Sequence, residues 1–317
     1  MHRKREQSRR LWSRGRRMQM GEAYYLGIEA GGTHLRIAAV DRTLKVCSFK
    51  KIRSEELSEA GDKAAYLESL MVPYFREMGR ENCRCVCLSL ASLMDRDRTV
   101  CFNSPNIRGF DNLPLKSMLE ERIHIPVEME RDANTELLYE IRRLDLPREG
   151  IVAGVYIGTG LGNAVCIDGR AYRGATGSAC ELGHIPVAGL TEDCGCGKKG
   201  CIELKASGRN LQRIADDLHC PVGEVFIRHA EDEKVQEFIT MAAIAIATEV
   251  TILDPVCVVL GGGVVGMPGF PLKTLTERVK ENLRVPDPRA SFKLELSSGD
   301  PEAGVVGAVI NAVTLGR

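Results

Sequence analysis

Ile151-Val152-Ala153-Gly154-Val155-Tyr156-Ile157-Gly158-Thr159-Gly160-Leu161-Gly162 is the stretch whose reading decides the fold of this 317-residue chain. A buried-type strand runs into a G-x-G pattern, which invites a dinucleotide reading with Glu181, about twenty residues on, as the ribose acid. That fingerprint requires a helix after the glycines. Here Asn163-Ala164-Val165-Cys166-Ile167 continues as a second strand and closes in an Asp168-Gly169 turn. The same strand, Gly/Thr turn, strand unit occurs near the start of the chain. Tyr24 to Glu29 reads as a strand, Ala30-Gly31-Gly32-Thr33 as a tight turn and Leu35 to Val40 as its partner. Consecutive backbone N–H groups in such a turn can approach a phosphate, and the threonine hydroxyl adds a donor. One turn of this kind is an ordinary hairpin; two in one chain point to a nucleotide grip. No Walker A sequence is present, which excludes a P-loop.

A second stretch follows, Glu181-Leu182-Gly183-His184 and then Cys194-Gly195-Cys196-Gly197-Lys198-Lys199-Gly200-Cys201-Ile202-Glu203. His184, Cys194, Cys196 and Cys201 form the pattern H-x9-C-x-C-x4-C, suited to a tetrahedral Zn²⁺ at about 2.0 to 2.3 Å from its ligands. A closed Cys₃His shell leaves no position for a catalytic water, so the expected metal is structural. It would hold in place the two carboxylates that bracket it, Glu181 and Glu203. The competing reading is a loop of buried reduced thiols.

Length is sufficient for two domains, and there is no run of about 18 consecutive apolar residues. Twelve cysteines without a signal peptide read as reduced thiols of a cytoplasmic protein rather than a disulfide framework. The formal charge of zero hides an asymmetry: residues 1 to 17 hold eight Lys/Arg against Glu6 alone, leaving 35 basic and 42 acidic residues, about −7, on the rest. A body of that sign has no general attraction for nucleic acid. Residues 1–23 are expected to be a disordered basic extension, with a nucleic-acid tail or a targeting peptide as alternatives.

Along the chain, Asp62 to Met78 and Leu113 to Ile123 read as helices. Cys83 to Leu90 reads as a strand with Cys83, Cys85 and Cys87 packed on one face. Asn106 ends a strand-to-turn stretch as a candidate polar group. Ile125 to Glu130 is a short strand, and Arg131-Asp132-Ala133-Asn134 opens a helix. Asp132 there is either a helix cap or a carboxylate at the sheet edge where α/β proteins place their chemistry. Further on come helices Gly208 to Leu218 and Glu233 to Leu253. A buried strand, Val256 to Leu260, then runs into Gly261-Gly262-Gly263, bare enough for a ribose or adenine to lie against. A helix near Leu272 to Leu283, a strand Phe292 to Leu296 and a closing helix from Pro301 complete the chain.

These pieces, in this order, resemble the ROK family of sugar kinases and repressors. The resemblance covers residues 24 to 315 and implies a two-domain α/β fold, actin/hexokinase-like (ribonuclease H-like), with an interdomain cleft and a structural zinc loop. The expected domains are 24–125 with 301–317, and 126–300. It further implies an ATP-dependent hexose kinase with Asp132 as general base. Asn106, Arg131, Glu181, His184 and Glu203 would contact the sugar. Gly31, Gly32, Thr33, Gly158, Thr159 and Gly160 would cradle the ATP phosphates with Mg²⁺, and Gly262 and Gly263 would line the adenosine site. His184 would bind Zn²⁺ through one ring nitrogen and the sugar through the other. No membrane or nucleic-acid partner is expected, and a homodimer is.

Two positions depart from the family pattern. Glu29 stands where an Asp is usual, and Arg131 where an Asn precedes the base. Arg131-Asp132, His184-Ile185-Pro186, Phe226 to Glu231 and Met267 to Pro271 resemble the D-allose kinase branch. Arg131 would then donate to the axial 3-hydroxyl of allose, or else form an ion pair with Glu128 or Glu130. The alternatives are glucokinase, fructokinase and N-acetylmannosamine kinase. From another class comes a sugar-responsive repressor, which carries a helix-turn-helix of some seventy residues ahead of the first hairpin.

Overall fold

The computed structural model describes residues 21–104 and 107–317. The chain divides into two compact units. Of the described residues, the first comprises those up to Tyr139, with Arg173–Ala179 and Pro301–Arg317, and the second comprises Glu140–Tyr172 and Cys180–Asp300; residues 1–20 of the expected basic extension lie outside the described residues.

The first unit holds β1 (Tyr24–Ala30), β2 (His34–Asp41), β3 (Val46–Arg53), α1 (Glu55–Glu59), α2 (Lys63–Met78), β4 (Cys83–Leu90), β5 (Leu93–Met94), β6 (Cys101–Asn103), α3 (Leu115–Ile123), β7 (Val127–Arg131) and the start of α4 (Asp132–Arg143). Its sheet has the order β3-β2-β1-β4-β7, antiparallel through β1–β3 and parallel from β1 to β4 to β7. Alternation along β1 divides the core. Tyr24, Leu26 and Ile28 face Leu67 and Met71 of α2, while Tyr25 joins Cys85, Cys87 and the valines of the C-terminal helix. Asp62 caps α2, its carboxylate accepting from the Ala65 amide at 2.9 Å.

Two sequence expectations change here. The expected border at 125/126 moves to 139/140, because β7 pairs with β4 and so carries Asp132 into the first unit. The three cysteines of β4 do not share a face. The register with β1 slips between Tyr24 and Leu26, and the extra residue turns Cys83 into the α2-side core, away from Cys85 and Cys87. Strand β3 and helix α1 had no clear signal, since Lys50 and Lys51 interrupt alternation on what is an edge strand.

The second unit holds the end of α4, β8 (Ile151–Ile157), β9 (Leu161–Ile167), β10 (Arg170–Ala171), α5 (Gly208–Asp217), α6 (Val225–Arg228), α7 (Glu233–Leu253), β11 (Cys257–Gly261), α8 (Leu272–Glu281) and β12 (Leu294–Leu296). Its order β10-β9-β8-β11-β12 repeats the pattern of the first sheet, three antiparallel strands followed by two parallel ones. The last helix, α9 (Ala303–Thr314), returns to the first unit. Helix α7 is long and apolar enough to cross a membrane by length and composition, although charged residues such as Glu237 and Glu249 interrupt its apolar run. Its Val235, Phe238, Ile239, Ala243 and Ile246 are buried in the core of the second unit, the place of a core helix.

Candidate functional site

Asp132 stands where parallel strand β7 passes into α4, at the carboxyl end of the strand. Its Oδ1 accepts from the next amide, Ala133, at 2.9 Å. A capping side chain takes the amide two or three residues on, so the cap reading does not account for it. The carboxylate is accessible to solvent yet crowded by protein atoms. Burial pushes its pKa up, opposed by the Ala133 N–H and the Arg131 guanidinium. Glu29 at the end of β1 senses the same charge. Burial raises its carboxyl and Asp132 adds to that, while Arg36, paired to it at 2.6 Å, pulls the other way.

Beside Asp132 lies a charged cluster that sequence reasoning missed. Glu130 is fully buried, with Arg98 Nε at 2.8 Å on Oε1 and Arg173 Nε at 2.9 Å on Oε2. The Arg131 amide and Asn134 Nδ2 also donate to Oε1, each at 2.9 Å. Although burial alone would raise it, the two guanidiniums hold the Glu130 carboxyl below the usual range. The signal available was Glu128 and Glu130 in a strand that must be buried on both faces. Glu128 takes Arg317 at 2.8 Å and Lys116 at 3.4 Å. Both carboxylates offered to Arg131 in the ion-pair reading are thus engaged by other cations, and Arg131 Nη1 donates to the Ala179 carbonyl at 2.6 Å.

The four metal-ligand candidates converge. One atom each from His184, Cys194, Cys196 and Cys201 lies within 4.8 Å of every other. Cys196 Sγ is 3.6 Å from Cys201 Sγ, and Cys194 Sγ is 3.7 Å from His184 Nδ1. A tetrahedron with about 2.3 Å metal–sulfur bonds has edges of about 3.8 Å, so the donor set fits Zn²⁺. With Nδ1 turned to the thiols, His184 presents Nε2 to Glu181 Oε2 at 3.7 Å. Both residues are half-buried. Glu203 follows Cys201 in a short 3₁₀ turn, and its Oε2 accepts from the Leu161 amide at 3.2 Å, so it supports the second glycine turn as well.

Each glycine turn is tied down by residues at the N-terminal end of a later helix, a second feature absent from the sequence reading. In the first, Gly31 N donates to His34 O at 3.1 Å, and Ser54, ahead of α1, donates through Oγ to Gly31 O at 2.6 Å and through N to Thr33 O at 3.1 Å. In the second, the amides that open α5 do the same: Gly208 N reaches Gly158 O at 2.7 Å and Arg209 N reaches Thr159 O at 3.1 Å. Thr33 and Thr159 are left exposed. Gly160 abuts Glu203, whose Oε2 would be 2.6 Å from an added Cβ. Gly262 has φ +97° and its Cβ would meet the Ile157 backbone at 2.4 Å, which requires glycine, whereas Gly158 and Gly263 have open space. Asn106 lies outside the described residues.

A family model described as "ROK family" matches residues 25–314. The N-acetyl-D-glucosamine kinase of Aliivibrio fischeri is 32% identical over 263 residues, 75% of this chain and 84% of that protein. Among solved structures, the ROK hexokinase from Thermus thermophilus superposes with a TM-score of 0.78 at 28% identity, covering 92% of this chain and 99% of the other. The ROK family glucokinase from Streptomyces griseus in complex with glucose and AMPPNP gives 0.73 at 25% identity, covering 90% and 98%.

Proposed function

The chain belongs to the ROK family and is an ATP-dependent sugar kinase, and from that premise we propose that it transfers the γ-phosphate to a hexose, D-allose before others, at the 6-hydroxyl. The observation that carries the reading is Asp132, a solvent-accessible carboxylate at a parallel strand end whose pKa burial raises above its ordinary value. In this reading Asp132 takes the proton of the attacking hydroxyl. Phosphoryl transfer asks the protein for positioning and charge stabilisation more than for covalent chemistry. A positioned base contributes about 10²- to 10⁴-fold, roughly 3 to 5 kcal/mol of barrier.

Glu181, His184 and Glu203 are the proposed sugar contacts. Gly31, Gly32, Thr33, Gly158, Thr159 and Gly160 are the proposed phosphate cradle with Mg²⁺, and Gly262 and Gly263 the adenosine contacts. Zn²⁺ on His184, Cys194, Cys196 and Cys201, when bound, fixes the tautomer and ring orientation of His184, leaving Nε2 for a sugar hydroxyl. Twelve free thiols support a reducing compartment, the cytoplasm. Allose is favoured by Arg131: its guanidinium is anchored through Nη1 on Ala179 O, and its planar fork can reach a hydroxyl in fixed geometry. The second reading is an N-acetylhexosamine kinase, favoured by the name of the Aliivibrio relative.

A coupled ADP-release assay across allose, glucose, mannose, fructose, N-acetylglucosamine and N-acetylmannosamine decides between them. The expected result is the highest kcat/KM on allose. A preference for either N-acetylated sugar discards it. Arg131→Asn is expected to erode the allose-to-glucose ratio; an unchanged ratio removes Arg131 from the account of specificity.

A further inference from the structure

We propose that Arg173 and Glu130 are positioning residues for sugar recognition, acting by docking residues 173–179 onto the end of β7. The inference rests on the sugar-kinase reading for its consequence, but not for the docking itself. Arg173 opens the segment and is paired to Glu130 at 2.9 Å. Arg98, 1% exposed, pairs with the same carboxylate at 2.8 Å and donates through Nη1 to Gly177 O at 3.0 Å. Arg131 closes the segment through Ala179 O at 2.6 Å. Gly177 has φ +93°, and a Cβ there would meet Met94 O at 2.5 Å, so the backbone lies directly against the β5–β6 turn.

Stability alone does not account for this arrangement. Desolvating buried charges offsets most of their attraction, and an apolar cluster of the same volume holds a core as well. What the charges add is a defined register. Glu130 sits two residues before Asp132, and the docked segment ends at Ala179, two residues before Glu181 and five before His184. One carboxylate therefore helps to anchor, within the first unit, the segment that leads in sequence to Glu181 and His184. Misplacement of such groups by about 1 Å costs as much as 10²-fold in rate.

The test uses the full chain with its zinc. Arg173→Gln removes one tether at a partly exposed side chain, and Gly177→Ala forces the segment off its seat by a separate route. In both, hydrogen exchange of the peptide 174–184 is expected to accelerate while zinc content stays at the wild-type value. KM for the sugar is expected to rise about tenfold or more with KM for ATP within about twofold, the split expected when one substrate's contacts are displaced. Arg173→Lys, which keeps a cation opposite Glu130, is expected to recover most of the sugar affinity.

Unchanged exchange in both variants overturns the docking. Accelerated exchange with an unchanged sugar KM overturns the positioning role. Should the wild type phosphorylate no sugar in the panel, the kinase reading fails, while the exchange measurement still decides the docking. Where a variant does not fold, exchange of 174–184 in the wild type at the rate of an open chain overturns the proposal by itself.

Discussion

Asp132 combines access to solvent with a carboxyl raised by its surroundings, and that combination sets two predictions at the scale of the residue. Asp132→Asn is expected to lower kcat by at least about 100-fold with little change in sugar KM, measured by steady-state ADP release. It is also expected not to destabilise the fold. A carboxyl whose folded pKa lies above its ordinary value is worse off ionised in the fold than unfolded, so stability declines as pH rises through that range, and the neutral amide removes the cost. Thermal melts of the variant at neutral pH should match or exceed the wild type. The second prediction concerns the acid limb of kcat/KM, which is expected above the ordinary Asp value. The Arg131 cation favours the carboxylate, so Arg131→Asn should move that limb to higher pH; a shift to lower pH contradicts the assignment of the base. At this scale Asp132 was visible as a residue of interest because it follows a strand and opens a helix. The partners of Glu130, two residues earlier, were not, since Arg98 and Arg173 come from places 32 residues before and 43 after it, joined only by the fold.

Among the elements, the metal loop and the second glycine turn make separable predictions. Cys201→Ser is expected to abolish stoichiometric zinc, read by atomic absorption, and to weaken sugar binding far more than nucleotide binding, because His184 loses its fixed orientation. A variant that keeps one zinc per chain denies Cys201 a place in the shell. Gly208→Ala addresses the turn. Its Cβ would lie 2.5 Å from Gly158 O, at the start of α5, so the turn must shift. KM for ATP should rise several-fold at constant zinc content, and an unaltered ATP KM shows that Gly158 to Gly160 do not hold the phosphates. The cluster of His184, Cys194, Cys196 and Cys201 was legible because its members lie within 18 residues and local spacing dictates their convergence. The support of the turn by Gly208 and Arg209 was not, because the residues that meet are about fifty positions apart and nothing in either string names the other.

For the whole molecule, two units repeat one sheet order, and each has its own buried core. A ligand that binds only the folded chain stabilises it by about 2.7 kcal/mol at 100 times its Kd. The favoured sugar should therefore raise the melting temperature, and the rank order of shifts across the sugar panel should follow kcat/KM. The sequence by itself determined the repeated hairpins, the convergence of His184 with Cys194, Cys196 and Cys201, the place of Asp132 at a strand-to-helix junction, and the family, because these depend on short spacing, alternation and turn chemistry that act within a few residues. Only the tertiary structure decided that β7 joins the first sheet, that Cys83 faces the other core, and that Glu130 is shared by two arginines. Those outcomes follow from which strand finds which neighbour, and from where a buried charge finds its counter-charge, and both are settled by packing between distant segments.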